Sequence, residues 1–198
     1  MEHRLALSTQ VSLARWATSR TPVQTTLATS RLQLFVLERS LLEAFVSGRA
    51  ALSRLIAQSV PDDWPVSPEL IPFVLGQFHS APKIADWLPW AIVDRQTESL
   101  IGDAGFKGAP DDCGGCEIGY SIIPSFRRRG YATEAVGAIL TWVRQIPHVR
   151  TVRAEALENN LASQRVLEKH GFLFVGVYDH PEDGLTCRYE LSLANGMV

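Results

Sequence analysis

The chain of 198 residues is the size of one domain with a short appendage. Hydrophobic residues make up 46%, which excludes wholesale disorder, and a formal net charge of −2 argues against a general nucleic-acid coat. The cations are 16 Arg against 3 Lys, with Arg127, Arg128 and Arg129 consecutive, and the charge is +3 up to Leu37 and −5 beyond it. One concentrated anion site in a mildly acidic body is therefore expected, and no nucleic-acid partner.

Residues 1–30 are rich in Arg, Ser and Thr, poor in acid and without a continuous apolar core. They read as a flexible N-terminal extension, with an organelle transit peptide as the alternative, rather than as a signal peptide, leaving residues 31–198 as the folded domain. No apolar run approaches the roughly 18 residues needed to cross a bilayer, so a cytoplasmic location without a membrane partner is expected. Residues 32–37 read as a first strand. Residues 39–58 read as one helix, with Leu41, Leu42, Phe45, Leu52, Leu55 and Ile56 at helical spacing. Prolines at 61, 65, 68, 72, 82 and 89 limit the next stretch to a short helix around 69–79 followed by loop. Trp64, Trp87 and Trp90 fall in this region, where they serve either the mouth for a second ligand or simple packing. Residues 90–94 and 100–107 read as neighbouring strands joined near 96–99, and 117–123 as another strand.

Residues 131–145 form the cleanest helix, with Ala135, Ile139, Leu140, Trp142 and Val143 on one stripe and Pro147 as its stop. A strand over 149–157 precedes a helix that begins at Asn160 and closes at Gly171. Strands over 172–178 and 185–193 flank a turn through Pro181, Glu182, Asp183 and Gly184. The mixed order of elements gives an α+β fold around one sheet. Cys113, Cys116 and Cys187 are an odd set in a chain large enough for its own core, which suits a reducing compartment. Cys113 and Cys116 have the spacing of a metal knuckle but no second such pair, so no metal is expected.

The informative stretch is Ile122-Ile123-Pro124-Ser125-Phe126-Arg127-Arg128-Arg129-Gly130-Tyr131-Ala132-Thr133-Glu134-Ala135. It runs from a strand through a basic turn into a helix with small residues at its mouth. A helix N-terminus offers unpaired N–H groups and partial positive charge, and flanking arginines add charge-assisted bonds. These features fit a pyrophosphate cradle or a solvated Arg turn before an ordinary amphipathic helix, without either the dinucleotide-binding or the P-loop glycine fingerprint.

Arg127-x-x-Gly130-x-Ala132 resembles the acyl-CoA signature of the GNAT superfamily of N-acetyltransferases. Asn160-Leu161-Ala162-Ser163 and the following Glu168-Lys169-His170-Gly171-Phe172 resemble that family's helix-to-strand segment. Ile101-Gly102-Asp103-Ala104-Gly105-Phe106 and Glu117-Ile118-Gly119-Tyr120 resemble sheet segments of its RimJ/RimL-like branch. The resemblance implies a GNAT fold, a mixed central sheet flanked by helices in which two parallel strands splay apart. It implies acetyl-CoA as co-substrate, with pantetheine along the main chain of Ile122 and Ile123. The pyrophosphate then falls on Arg127, Arg128, Arg129, Gly130, Tyr131, Ala132 and Thr133, with Asn160 holding the cofactor from the next helix.

The activity implied is direct transfer of an acetyl group to a primary amine, on a protein N-terminus or a small molecule. A different acyl group, or a sensor that binds acyl-CoA without catalysis, are the alternatives, in a monomer or homodimer. Such transfer needs a neutral amine, a stabilised oxyanion and a proton for the departing thiolate. A backbone N–H near Ile122 suits the oxyanion. Glu117 is the first candidate base, Glu155 the second and Asp103 the third. Many relatives place a tyrosine seven residues after the asparagine, where this chain has Leu167, and the resemblance shifts the acid role to Ser163. Glu134 reads as a first-turn acid favoured by the helix dipole, and the rings of Phe126 and Tyr131 as packing.

Overall fold

The computed structural model describes residues 26–67, 69–80 and 87–193. Its eight-stranded sheet has the order β1-β2-β3-β4-β5-β6-β8-β7. The strands are β1 (Thr26–Ala28), β2 (Leu32–Val36), β3 (Trp90–Asp94), β4 (Ser99–Phe106), β5 (Gly115–Ile122), β6 (Thr151–Leu157), β7 (Leu173–His180) and β8 (Gly184–Ser192). Every neighbouring pair is antiparallel except β5 and β6. β1 lies inside the stretch read as an extension: Thr26, Leu27 and Ala28 pair with Phe35, Leu34 and Gln33, and Leu27 is fully buried. The rest of that expected extension, residues 1–25, lies outside the described residues.

The expected single helix over 39–58 is two, α1 (Arg39–Val46) and α2 (Arg49–Ile56). The break follows from Gly48, whose φ of 127° no helix can contain, and from Ser47, whose hydroxyl turns back to the Glu43 carbonyl at 2.9 Å. Next come α3 (Leu70–Ser80), α4 (Tyr131–Val143) and α5 (Leu161–Lys169). α4 buries Tyr131, Ala135, Val136, Ala138, Ile139, Leu140 and Val143. Each large aliphatic among them contributes about 1.5–3 kcal/mol by leaving water, which fixes the helix against the sheet.

The three tryptophans do not frame a mouth. Trp87 and Trp90 pack edge-on against Trp142 of α4, at centroid separations of 5.6 Å in both cases. Trp64 is fully buried and stacks edge-on with Phe45 of α1. All three are core, because a proline-rich segment laid over a sheet must cover it with something large and apolar.

Candidate active site

The centre of the sheet opens where the two parallel strands stop pairing. Gly115, Cys116, Glu117 and Ile118 pair with Thr151, Val152, Arg153 and Ala154, and the ladder ends there. β5 nevertheless stays paired to β4 as far as Ile122, and β6 stays paired to β8 as far as Leu157. Each strand follows its outer neighbour, so the ends of β5 and β6 diverge. On β5, Glu117 accepts from the Lys107 N–H and Ile123 donates to the Ile101 carbonyl, both at 2.9 Å. By alternation, the main chain of Tyr120 and Ile122 points into the gap. Ile122 therefore faces the gap, whereas Ile123 is turned the other way with its amide used by Ile101.

A short 3-10 turn, Pro124–Phe126, carries the chain from β5 to the arginines. Arg127 turns back, its Nε donating to the Ile122 carbonyl at 2.8 Å. Arg128 has a φ of 60° and Gly130 one of 80°, left-handed conformations that line up successive N–H groups. Gly130 is the N-cap of α4 and no side chain caps the helix. The helix's own ladder starts with Glu134 N–H to the Gly130 carbonyl, so it uses none of the amides of Tyr131, Ala132 and Thr133. Arg127, Arg128, Arg129 and Gly130 are exposed around this helix mouth.

The turn between β1 and β2 braces the mouth. Glu134 receives the Arg31 Nε at 2.6 Å and the Arg31 backbone N–H at 3.0 Å, together with the hydroxyls of Thr29 and Ser30. Arg31 Nη1 also donates to the Arg129 carbonyl at 2.9 Å, and its guanidinium lies 4.6 Å from the Tyr131 ring centroid. Burial pushes the Glu134 carboxyl up, but the bonds from Thr29 and Arg31 outweigh it and hold it below the usual range. Glu134 is therefore more than a dipole partner. Tyr131 is buried, its hydroxyl donating to Asp94 at 3.0 Å, so its ring serves packing as expected.

Across the gap, Asn160 caps α5, its Oδ1 accepting from the Ser163 N–H at 3.1 Å. Tyr120 reaches the same helix turn. Its hydroxyl donates to the Ser163 carbonyl at 3.0 Å and lies 2.9 Å from the Ser163 hydroxyl. Burial pushes the Tyr120 phenol up to about 12, with the Ser163 bond acting in the opposite direction, so it keeps its proton at neutral pH. Leu167, at the position where relatives carry a tyrosine, is fully buried core. Sequence reasoning missed Tyr120 as a functional side chain. The available signal was its place on β5, facing the helix that starts at Asn160.

The opposite face of β5 and β6 is open to solvent. A cleft of about 530 Å³ is lined there by residues including Glu117, Arg153, Glu155, Arg188 and Glu190. Glu117 is paired with Lys107. Glu155 has both oxygens engaged, Oε2 by the Tyr178 hydroxyl at 2.9 Å and Oε1 by Arg188 Nε at 3.1 Å. Gly119, two residues on from Glu117, has open space where a side chain would stand. Ser121 comes next on that face, its hydroxyl donating to Asp103 Oδ2 at 3.0 Å. Asp103 is 8% exposed, and burial pushes its carboxyl up to about 6 against the opposing bond from Ser121. Cys113, Cys116 and Cys187 are free thiols, and among the described residues no three His, Cys, Asp or Glu side chains gather as metal ligands. No described helix is long and apolar enough to cross a membrane.

Residues 42–173 match the family model described as an acetyltransferase (GNAT) domain. The chain belongs to the GNAT acetyltransferase family. This acetyltransferase is 31% identical over 149 residues to the Bacillus subtilis protein YjdG, described as an uncharacterized N-acetyltransferase, covering 74% of the chain and 89% of YjdG. Its fold is similar to that of a ribosomal-protein-S5-alanine acetyltransferase from Vibrio fischeri, with a TM-score of 0.62 at 14% identity over 86% of this chain and 97% of the other. It is likewise similar to RimL, a ribosomal L7/L12 alpha-N-protein acetyltransferase solved with coenzyme A, with a TM-score of 0.61 at 19% identity over 83% and 95% of the two chains. The α+β GNAT fold and the RimJ/RimL-like neighbourhood expected from the motifs both hold.

Proposed function

We propose that this acetyltransferase moves the acetyl group of acetyl-CoA directly to a primary amine that enters over the open face of β5. The observation that carries the reading is the gap between β5 and β6 with proton-bearing groups on both sides of it. The main chain of Tyr120 and the N–H of Ile122, which have no partner on β6, suit an extended amide-bearing arm, which would add as a further strand. The uncapped, exposed mouth of α4, with Arg128, Arg129 and the amides of Gly130, Tyr131, Ala132 and Thr133, suits a pyrophosphate. Arg127 acts there by fixing the Ile122 carbonyl, and Asn160 by shaping the α5 mouth. Acetyl-CoA supplies the activated acyl group as a thioester.

The chain's own residues then divide the proton work. Glu117 takes the first proton of the incoming ammonium, directly or through water; Glu155, with both oxygens engaged, is the poorer acceptor. The N–H of Ile122 or Tyr120 supports charge on the acetyl oxygen. Ser163, hydrogen-bonded to the phenol of Tyr120, protonates the departing thiolate. The acceptor is an amine on a small molecule or a flexible peptide terminus, drawn by the carboxylates Glu117, Glu155 and Glu190 along the cleft. A reducing, cytoplasmic setting accords with the three free thiols.

The test is a thermal-shift and thiol-release pair. Acetyl-CoA should raise the melting temperature, because a ligand that binds only the native state stabilises it. A panel of N-terminal peptides, amino sugars and polyamines should then release free CoA thiol with at least one acceptor. No shift and no release ends the reading.

A further inference from the structure

A carboxylate in the core is costly unless something uses it. Asp103 lies on β4 directly opposite Ser121 of β5, and the two pair in register. It faces Ala91 from β3, in register on the other side. From the segment after α2, the indole N–H of Trp64 approaches it without completing a hydrogen bond. No charged side chain contributes to the shift of its carboxyl. On the same face of β5, Glu117 is held by Lys107, and the segment that carries Trp64 is held by Arg49 of α2, which binds the Pro61 and Asp62 carbonyls at 2.8 Å and ion-pairs Asp62. Asp103 is thus an isolated acid, joined to the gap by one hydroxyl.

That hydroxyl is well placed. Ser121 belongs to the stretch of β5 beyond the last pair with β6, is half-buried, and sits beside the open floor at Gly119. Its hydrogen already lies on the bond to Asp103 Oδ2. Chemistry supplies a use. An ammonium acceptor must shed two protons to become an amide, one before attack and one after, while the thiolate takes up one. A single carboxylate at the cleft accounts for the first.

We propose that Asp103, acting through the hydroxyl of Ser121, accepts the second proton from the acceptor nitrogen. Once that nitrogen has bonded to the acetyl carbon it carries one proton too many. The proton passes to Ser121 Oγ as the Ser121 hydrogen passes to Asp103 Oδ2, the C–S bond breaks, and Ser163 protonates the sulfur. The balance is one amide, one free thiol and one proton: Glu117 and Asp103 each return a proton to solvent, and Ser163 takes one back. Asp103 is a positioning and relay residue, because Ser121 alone meets the substrate. The inference rests on the acetyl-transfer reading above.

The experiment measures kcat against pH by thiol release, with acetyl-CoA and the fastest acceptor of the amine panel, for wild type, Asp103→Asn, Ser121→Ala and the double variant. The wild-type kcat should fall below about pH 6, and Asp103→Asn should lose that limb while running at least about tenfold slower at pH 7.5. The double variant should be no slower than either single one, as for residues acting as a unit. An unchanged acetyl-CoA thermal shift in Asp103→Asn shows that the fold and cofactor site are intact, and Ser121→Ala gives an independent reading of the same limb. An Asp103→Asn enzyme with wild-type kcat, or with the limb in its old place, overturns the relay and leaves acetyl transfer standing. Failure of the wild type to bind acetyl-CoA or release thiol with any amine removes both.

Discussion

The hydroxyls of Tyr120 and Ser163 stand 2.9 Å apart, one from β5 and one from α5, on opposite sides of the gap. On the acetyl-transfer reading proposed above, Tyr120 supplies from the other wall the phenol that α5, with Leu167 in the core, does not carry. Since burial keeps the Tyr120 proton in place, the phenol stays a hydrogen-bond donor beside the Ser163 oxygen when that hydroxyl gives up its own proton. Tyr120→Phe and Ser163→Ala are each expected to lower kcat by about 10- to 100-fold. The double variant should lose little more than the worse single one. Stopped-flow release of the CoA thiol gives the rates, and urea melts should show losses of only about 1 kcal/mol for the missing bond.

Much of this site is readable without coordinates, and what is not has identifiable causes. Arg127, Gly130 and Ala132 mark the helix mouth because local spacing alone creates it, and Asn160 marks the start of α5 for the same reason. Glu134 is different. Its partners Thr29, Ser30 and Arg31 lie some hundred residues away in sequence, so a single-turn reading sees a dipole acid and misses the brace. Ile122 and Ile123 look equivalent in the sequence. They part company because alternation along β5 hands the Ile123 amide to β4. Asp103 is visible as an acid between glycines, but its isolation depends on Ala91, Ser121 and Trp64, which only the sheet order brings to it.

The brace from the β1–β2 turn has its own test. Arg31 holds both the Glu134 carboxylate and the Arg129 carbonyl, so removing it frees the loop without touching the acceptor face. Arg31→Ala is expected to raise the KM for acetyl-CoA about tenfold while kcat and the amine KM stay within about twofold, as for lost charge-assisted bonds. Because the Glu134 carboxyl titrates below its usual 4.5, its contribution to stability is present above that value and is lost as the pH falls through its folded value. Acid titration of wild type and Arg31→Ala should therefore differ near neutrality and converge in acid. Steady-state kinetics and circular-dichroism melts at graded pH check the two halves.

Asp103 shifts the other way. Its folded pKa of about 6 lies above the usual 3.8, so the folded protein binds that proton more tightly than the unfolded chain. The associated stability is complete below about pH 3.8 and is lost as the pH rises through about 6. A difference of roughly two units corresponds to about 3 kcal/mol. Asp103→Asn, neutral at every pH, should melt higher than wild type at pH 7.5 and at nearly the same temperature at pH 4. A variant that gains stability while losing turnover marks a residue kept for function.

Gly119 supplies the last prediction. Its backbone carries no positive φ, so nothing in its conformation demands glycine. It pairs in register with Gly105, and the volume where a side chain would stand is open. Glycine in a strand otherwise costs about 0.5–1 kcal/mol in chain entropy relative to alanine. Its presence between Glu117 and Ser121 is therefore explained by what must occupy the space. Gly119→Leu should fold at least as stably as wild type and keep the acetyl-CoA thermal shift, because the helix mouth at Gly130 is untouched. It should lose most thiol release with bulky acceptors, whereas Gly119→Ala should retain the smallest ones. If Gly119→Leu instead turns over every acceptor at the wild-type rate, the amine does not enter over this face of β5.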